Sequence, residues 1–192
     1  MLSFLRHIDY ELFSLINGCH NFWMDHLMWA FSQRLYWIPL YLFLVMFIIK
    51  KYRKASIFII LTLLITITLS DQFSVLIKES VMRLRPSHNP YFESTIHLVN
   101  GYKGGLYGFV SSHAANVTAL VTFLFFIPVF KKKLYWYALA LWAFLVSYSR
   151  IYLGVHYPSD IVGGIILGFL ISCLTSYVLK IVYLNKNLIL KK

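Results

Sequence analysis

Charged side chains are rare in this 192-residue chain, of which 13% is Asp, Glu, Lys or Arg, yet three short stretches concentrate them. The stretches are "KESVMRLRP" at residues 78–86, "GFVSSHAAN" at 108–116 and "SRIYLGVHYPSD" at 149–160. Long apolar runs flank them, and charged side chains in such surroundings indicate function. The side chains there that could carry chemistry are Lys78, Arg85, Ser111, Ser112, His113, Arg150, His156 and Asp160.

The cations and serines in this set suit the binding of a phosphoryl group. An arginine presents a planar fork of donors that matches phosphate oxygens, and a lysine adds a point charge. Ser111 and Ser112 stand where a helix is predicted to begin, and free backbone N–H groups at a helix N-terminus favour an anion. Donors placed in this way stabilise the charge that spreads over the phosphoryl oxygens during transfer.

The two histidines could supply the reactive groups of such a transfer. A histidine acts as nucleophile, base or acid near neutral pH. Asp160 follows His156 by four residues, and Pro158 between them suits the first turn of a helix. A carboxylate at that position could accept the ring N–H of His156, select one tautomer and stabilise positive charge on the ring. His113 is then available as a second proton donor or acceptor.

The sequence offers few ligands for a metal ion. Magnesium prefers several oxygen ligands, often carboxylates, whereas the carboxylates in or near the three stretches are Asp160, Glu79 and Glu93. Cys19 and Cys173 are far apart and have no metal-type spacing, so neither a zinc site nor a disulfide framework is indicated. We therefore expect no metal and no other cofactor, and we expect the cations of the protein to do a metal's work.

The elements that must position these side chains are apolar. Hydrophobic residues make up 59% of the chain, and the mean hydropathy of +0.69 favours one integral membrane domain over residues 1–192. A span needs about 20 apolar residues. Five stretches approach this length and predict an all-α membrane bundle: 28–49, 55–77, 112–130, 134–149 and 158–182. Gly164 and Gly168 in the last of them predict close helix packing.

Residues 1–26 predict an additional amphipathic helix. Leucines and isoleucines recur there at helical spacing among polar residues. Such a helix lies at the membrane interface or caps the bundle, and the pattern leaves both possibilities open. Residues 86–110, between the second and third spans, are too polar to span and too long for a turn. We expect them to form a loop outside the membrane.

The distribution of basic residues orients the bundle. Five spans would place "KKYRK", "KKK" and the C-terminal tail on one face, which collects 11 of the 18 Lys and Arg residues. The positive-inside rule makes this face, with the C-terminus, cytoplasmic. The three polar stretches then share the outer face, and the net charge of +11 requires no nucleic-acid partner. Asp71 either reaches a polar cavity or lies near the surface.

Together, the polar stretches resemble the signatures of type-2 phosphatidic acid phosphatases. "KESVMRLRP" is similar to K-x6-R-P, and "SRIYLGVHYPSD" matches S-R-x5-H-x3-D in every defined position. "VSSH" resembles P-S-G-H, with Val110 in place of proline and Ser112 in place of glycine. A serine lacks the easy access of glycine to positive φ, so the chain departs from the family in the geometry of this anion-binding turn.

The resemblance implies a helical membrane phosphatase that works without a metal. It implies that His156 is the nucleophile and forms a phosphohistidine, that Asp160 holds it, and that His113 protonates the leaving oxygen. It also implies a set of residues that hold the phosphoryl group, namely Lys78, Arg85, Ser111, Ser112 and Arg150.

The expected substrate is a membrane lipid phosphate on the outer face of a bacterial inner membrane. Undecaprenyl diphosphate is favoured, because small single-domain members that resemble this chain commonly act on it. Lipid A and phosphatidylglycerol phosphate are the alternatives within the family. A protein that binds or carries phosphorylated lipids would need the cations but not the histidine pair. A vanadate-dependent haloperoxidase has a similar oxyanion site, but those enzymes are soluble. No obligate protein partner is expected.

Overall fold

The computed structural model describes residues 2–184, and within this range the chain forms helices and no β-strand. The α-helices are α1 (Leu2–Gly18), α2 (Phe22–Ser32), α3 (Ile38–Tyr52), α4 (Ser56–Val81), α5 (Ser112–Phe126), α6 (Lys133–Tyr152) and α7 (Pro158–Leu179). Short 3₁₀ turns lie at Arg34–Trp37, Arg53–Ala55, Pro86–His88, Pro90–Phe92 and Val99–Gly101, and a π-helical turn at Lys180–Leu184. The all-α prediction is therefore confirmed. The predicted basic tail continues into residues 185–192, outside the described residues.

The N-terminal region differs from the single helix predicted for residues 1–26. It forms two helices, α1 and α2, because the side chain of Asn21 caps α2 by accepting a hydrogen bond from the Met24 N–H (3.0 Å). One face of α1 is buried against the bundle through Asp9, Phe13 and Asn17. Apolar side chains of α1 point away from it, namely Phe4, Ile8, Leu12 and Leu15. The helix therefore turns two polar side chains, Asp9 and Asn17, toward the protein and these four apolar side chains away from it.

The first predicted span, residues 28–49, is interrupted. Helix α2 ends at Ser32, Gln33 is extended, and α3 begins only at Ile38, with a proline in its first turn. Two described helical segments are long and apolar enough to cross a membrane, Arg34–Val81 and Pro158–Val182. Within the first of these the chain bends at Arg53, whose φ is +49°. The predicted number of five crossings is therefore not confirmed.

Helix α5 occupies the centre of the bundle and packs against α4, α6 and α7. Its contact with α7 is close enough to require glycine. A Cβ added at Gly164 would lie 2.5 Å from the carbonyl oxygen of Ser111, and one at Gly168 would collide with the carbonyl oxygen of Ala115. The predicted role of the two glycines in close helix packing is confirmed. This contact places the start of α5 beside the start of α7.

The 86–110 segment is a loop, as predicted, and it is pinned to α1. The side-chain amide of Asn17 donates to the carbonyl oxygens of His97 and Tyr152 (2.8 Å each), and its oxygen accepts from the His97 N–H (2.8 Å). Asn89 donates to the hydroxyls of Tyr10 and Tyr157 (2.8 and 2.9 Å). The loop and α1 therefore form one layer over the ends of α6 and α7.

Candidate active site

The turn between α6 and α7 places His156 and Asp160 side by side. Pro158 starts α7, so Asp160 occupies the third position of the first turn, where its Oδ2 accepts a hydrogen bond from the Tyr157 N–H (2.9 Å). The same Oδ2 lies 3.3 Å from Nδ1 of His156. His156 is 1% exposed and Asp160 0%. The spacing of four residues thus produces the predicted pair of imidazole and carboxylate.

Arg85 reaches the other side of the same imidazole. Its Nη1 lies 3.3 Å from Nε2 of His156, and its Nε donates to the carbonyl oxygen of Tyr107 (3.0 Å). A guanidinium only donates hydrogen bonds, so Nε2 must present its lone pair and the ring proton belongs on Nδ1, toward Asp160. This tautomer leaves Nε2 unprotonated, as a nucleophile requires, and the Arg85 guanidinium beside it is a cation suited to a phosphoryl oxygen.

The electrostatic surroundings of His156 favour an uncharged imidazole. Burial, and next the positive charge of Arg85, hold the pKa of His156 well below its ordinary value. Burial also lowers the pKa of Arg85, to about 10, with the charge of Arg150 as the next cause. Arg85 therefore stays charged at neutral pH while His156 stays neutral, which is the combination that a nucleophile beside an anion-binding group requires.

Gly108 allows the backbone to approach this group closely. A Cβ at this position would lie 2.8 Å from Oδ2 of Asp160 and 3.3 Å from Cγ of Arg85. Its N–H donates to the carbonyl oxygen of Arg83 (2.9 Å), and an isolated antiparallel bridge joins Leu84 to Tyr107. The segments before α5 and after α4 are thus held together where their side chains meet His156.

A second polar group lies where α4 meets α5. The ammonium group of Lys78, one turn before the end of α4, donates to the hydroxyl of Ser112 at the start of α5. The Ser74 hydroxyl is 2.6 Å from the same oxygen. Two of the residues predicted to hold phosphate are therefore in contact. Both contacts are made by the side-chain hydroxyl of Ser112, at a position where the family signature has glycine and therefore no side chain.

Ser111 has a different local environment from the one predicted. It is fully buried, its N–H donates to the carbonyl oxygen of Asp160 (2.9 Å), and its hydroxyl caps α5 at the Ala114 N–H (3.5 Å). Its own amide is therefore engaged in joining α5 to α7. The N–H groups of Ser112 and His113, in the first turn of α5, have no partner within the helix.

Arg150 is buried, at 2% exposure, but its guanidinium is directed toward α2 and the loop. It donates to the Ser32 hydroxyl and to the Tyr102 hydroxyl (3.4 Å), and it lies over the Tyr102 ring (5.5 Å). Its carbonyl oxygen accepts the N–H of His156 (3.2 Å). Within the described part of the chain, its Nε is buried without a partner. Arg150 is thus attached to the site through its backbone, and its Nε–H is a donor that remains unused among the described residues.

His113 faces a cavity of about 390 Å³. The walls come from α2 to α6 and are mainly apolar, with Leu63, Ile67 and Val117 among them. Arg34 and Asn116 also line it, and Asn116 donates to Oδ1 of Asp71 (3.0 Å). Asp71 is partly exposed, and this contact places it next to one residue of the cavity wall. The cavity therefore joins the second histidine to a space suited to a hydrocarbon chain.

Sequence reasoning missed residues that contact Asp160, Arg85 and Arg150. Arg83 donates to Asp160, Tyr102 accepts from Arg150, and Gly108 allows the close approach. Arg83 is a basic residue at an unassigned position inside the first signature, so it had a visible signal, whereas Asp9 is one of several polar residues on α1 and had none. Among residues 2–184, no group of three or more His, Cys, Asp or Glu side chains is arranged to hold a metal ion.

The sequence is similar to several characterised phosphatases. It is 39% identical to a lipid A 4'-phosphatase of Bacteroides thetaiotaomicron over 172 residues, covering 88% of this chain and 75% of that protein. A lipid A 4'-phosphatase of Porphyromonas gingivalis is 34% identical, with 89% and 72% covered. An undecaprenyl-diphosphatase of Sulfolobus acidocaldarius is 36% identical, with 86% and 75% covered.

Two crystal structures share the fold. The PAP2-type phosphatidylglycerolphosphate phosphatase of Bacillus subtilis superposes with a TM-score of 0.70 at 21% identity, covering 93% of this chain and 87% of that one. Aquifex aeolicus LpxE gives a TM-score of 0.67 at 24% identity, with 86% and 93% covered. The sequence model of the PAP2 superfamily matches residues 59–182, which include all three polar stretches. The chain belongs to the PAP2 superfamily, as an integral membrane lipid phosphatase.

Proposed function

We propose that this enzyme removes the 4'-phosphate of lipid A. The support is the similarity to two lipid A 4'-phosphatases, each aligned over most of both chains. This reverses the preference for undecaprenyl diphosphate that the sequence alone suggested. The arrangement that carries the catalytic part of the proposal is the imidazole of His156, held between the carboxylate of Asp160 and the guanidinium of Arg85.

In the proposed first step, Nε2 of His156 attacks phosphorus, and the bond between phosphorus and the lipid oxygen breaks. Asp160 stabilises the imidazolium that forms as Nδ1 keeps its proton. The charges of Arg85 and Lys78 and a hydrogen bond from the Ser112 hydroxyl stabilise the negative charge on the three equatorial oxygens. Arg150 contributes its unused donor, whereas Ser111 contributes the position of α5 and Asp160 through its backbone contact.

His113 is the proposed acid of the first step, since the oxygen that leaves needs a proton. The cavity beside it takes the adjoining part of the lipid, which puts the scissile bond between the two histidines. In the second step, His113 accepts a proton from water, and the oxygen of that water attacks the phosphohistidine. The bond between Nε2 and phosphorus breaks, inorganic phosphate leaves, and His156 returns to its starting form.

Undecaprenyl diphosphate is a second candidate substrate. The observation that favours it is the similarity to an undecaprenyl-diphosphatase over most of the chain. Its terminal phosphate would meet the same residues, and its isoprenoid chain would enter the same apolar cavity. The leaving group then carries a phosphate of its own, and Arg34 on the cavity wall would face it.

The proposed orientation follows the asymmetry of the basic residues. The catalytic end faces the outside of the inner membrane, and the basic turns around Lys50 and Lys131 face the cytoplasm together with the C-terminus. Lipid A and undecaprenyl diphosphate would then be dephosphorylated on the outer side. Attachment of a cysteine-reactive, membrane-impermeant label to single cysteines in the 86–110 loop tests this orientation.

Phosphate release from a panel of lipids tests the function. The purified enzyme in detergent receives lipid A, undecaprenyl diphosphate and phosphatidylglycerol phosphate, and mass spectrometry locates the phosphate that lipid A loses. We expect the highest kcat/KM for lipid A, with loss of the 4'-phosphate. Faster turnover of undecaprenyl diphosphate would overturn the substrate assignment. Retention of activity in a chelator is expected, and its loss would overturn the metal-free mechanism.

A further inference from the structure

Asp9 of α1 and Arg83 form a chain of contacts that ends on the carboxylate of the imidazole pair. Arg83 Nη2 is 2.5 Å from Oδ2 of Asp9, and Arg83 Nη1 is 3.0 Å from Oδ1 of Asp160. Ser159 joins the same group, because its N–H donates to Oδ1 of Asp9 (2.9 Å) and its hydroxyl lies 2.6 Å from Arg83 Nη1. Helix α1, which the sequence predicted at the membrane interface or as a cap, is therefore connected to Asp160 through two consecutive contacts.

The geometry divides the two oxygens of Asp160 between different tasks. Oδ1 faces Arg83, while Oδ2 accepts from the Tyr157 N–H and faces Nδ1 of His156. A carboxylate held at both oxygens cannot rotate about its terminal torsion. Because Asp160 is fully buried, its charge also needs a nearby cation.

Arg83 is itself held in one orientation. Its guanidinium lies 4.0 Å over the Tyr157 ring, and its two terminal nitrogens contact the two carboxylates, Asp9 and Asp160. Asp9 is only 5% exposed and sits on α1, which the 86–110 loop fastens to the bundle. Asp9 therefore holds the guanidinium of Arg83, and Arg83 in turn holds the carboxylate of Asp160.

We propose that Asp9 and Arg83 are positioning residues of the reaction, which orient Asp160 and through it the nucleophilic nitrogen of His156. The proposal rests on the roles proposed above for His156 and Asp160. Neither residue touches the substrate, since Asp160 stands between Arg83 and the imidazole. Their loss should therefore reduce the rate of the chemical step and leave lipid binding nearly unchanged.

Steady-state kinetics of Arg83→Met, Arg83→Lys and Asp9→Asn test this proposal in the full-length enzyme. We expect Arg83→Met to lower kcat about 100-fold, as misplacement of a reacting group does, with KM within about threefold of wild type. The kcat of Arg83→Lys should be about tenfold higher than that of Arg83→Met, because a lysine supplies the charge. It should stay below the wild-type kcat, because a lysine cannot contact both carboxylates as a fork. Asp9→Asn, which keeps the shape of the side chain, should lower kcat about tenfold.

Matched controls separate these effects from loss of charge or of folding. Glu11→Gln removes an exposed acid from the same helix, and Lys103→Gln removes an exposed cation from the loop; both should keep wild-type kcat and KM. Melting in detergent identifies variants that do not fold, and Asp9→Asn carries the test if Arg83→Met is one of them. Wild-type kcat in the folded Arg83 and Asp9 variants, or a rise in KM alone, would overturn the proposal. If His156→Ala were active, the proposed function would fail instead.

Discussion

The two histidines of the site lie in contrasting surroundings. The buried half consists of Arg85, His156 and Asp160, which are almost without solvent exposure and contact one another. The cavity half consists of His113 and Asn116, which are partly exposed and border a space of about 390 Å³. One half is preorganised by its own contacts, and the other is open to a ligand.

This difference suggests a division of work that a phosphatase for lipids requires. A nucleophile benefits from a fixed orientation and from the absence of water, because both lower the cost of reaching the transition state. A leaving group differs from one lipid to another, so the residues that meet it need room. Substitutions in the buried half should therefore lower the rate equally for every substrate. The effect of substitutions in the cavity half should depend on the leaving group of the substrate.

The largest expected effect comes from the buried half. His156→Ala should lower kcat at least about 10⁴-fold on every substrate, because it removes the nucleophile and leaves only binding and charge stabilisation. Phosphate release from lipid A and from p-nitrophenyl phosphate measures the loss. His88→Ala, a histidine in the loop after α4, serves as the control and should be active. Turnover within about tenfold of wild type in His156→Ala would remove the histidine mechanism altogether.

Arg85→Gln should lower kcat/KM about 10³-fold, as the removal of a donor to a developing oxyanion does. It should also change the pH dependence. The neutral ring of His156 is the reactive form, and the charge of Arg85 lowers its pKa, so the wild-type enzyme should stay active well below pH 6.5. Without that charge the pKa rises, and activity should begin to fall at a higher pH.

Profiles of kcat/KM between about pH 4.5 and about pH 8 for the two enzymes measure this shift. The titration of the substrate is common to both enzymes, so the displacement of the acid limb reports on the protein. Lys103→Gln is the matched loss of an exposed cation and should leave the limb in place. An acid limb that coincides in wild type and Arg85→Gln would contradict the electrostatic role of Arg85.

His113→Ala should separate the two halves most clearly. We expect about a 10²- to 10³-fold loss of kcat on lipid A, since a positioned acid contributes about this much. The loss should be about tenfold or less on p-nitrophenyl phosphate, whose leaving oxygen needs little help from a proton. An equal loss on both substrates would mean that His113 serves the nucleophile side and that the division is wrong.

The smallest effect should come from filling the cavity. Ile67→Trp, on the wall of α4, should raise KM for lipid A about tenfold because the ring occupies the space proposed for the lipid. The kinetics with p-nitrophenyl phosphate should remain near those of wild type. Val162→Trp, on the exposed surface of α7, is the control for added bulk. A loss of activity on both substrates would show that the variant distorts the site instead of blocking the cavity.

The contacts between His156 and Asp160 are local in the sequence, whereas the contacts of the residues that support them are not. His156 and Asp160 could be paired because four residues across a helix start bring them to one face, which is local geometry. Arg83 could not be assigned, since its two partners lie 74 and 77 residues away in the chain. Arg150 lies in the expected turn, but its guanidinium turns toward Ser32 on a helix far away in the sequence.

The ends of the helices likewise divide into those that local sequence predicts and those that depend on tertiary contacts. Apolar length placed α4 to α7 within a few residues, because burial of backbone groups in a hydrocarbon environment requires helices. Hydropathy did not resolve the interruption at Gln33, nor the break before α2, which depends on the side-chain cap of Asn21. The inward orientation of Asp9 on α1 became visible only when its partners on α7 were in place.

The sequence alone therefore predicted the class of the protein and the positions of α4 to α7, and it singled out the polar residues for which we propose chemistry. These follow from hydrophobicity, helical spacing and side-chain charge, all of which act over a few residues. The tertiary structure decided the tautomer of His156, the separation of the buried half from the cavity half, and the part that α1 takes in the site. Those depend on contacts between distant segments, where distance and solvent exclusion set the strength of each charge.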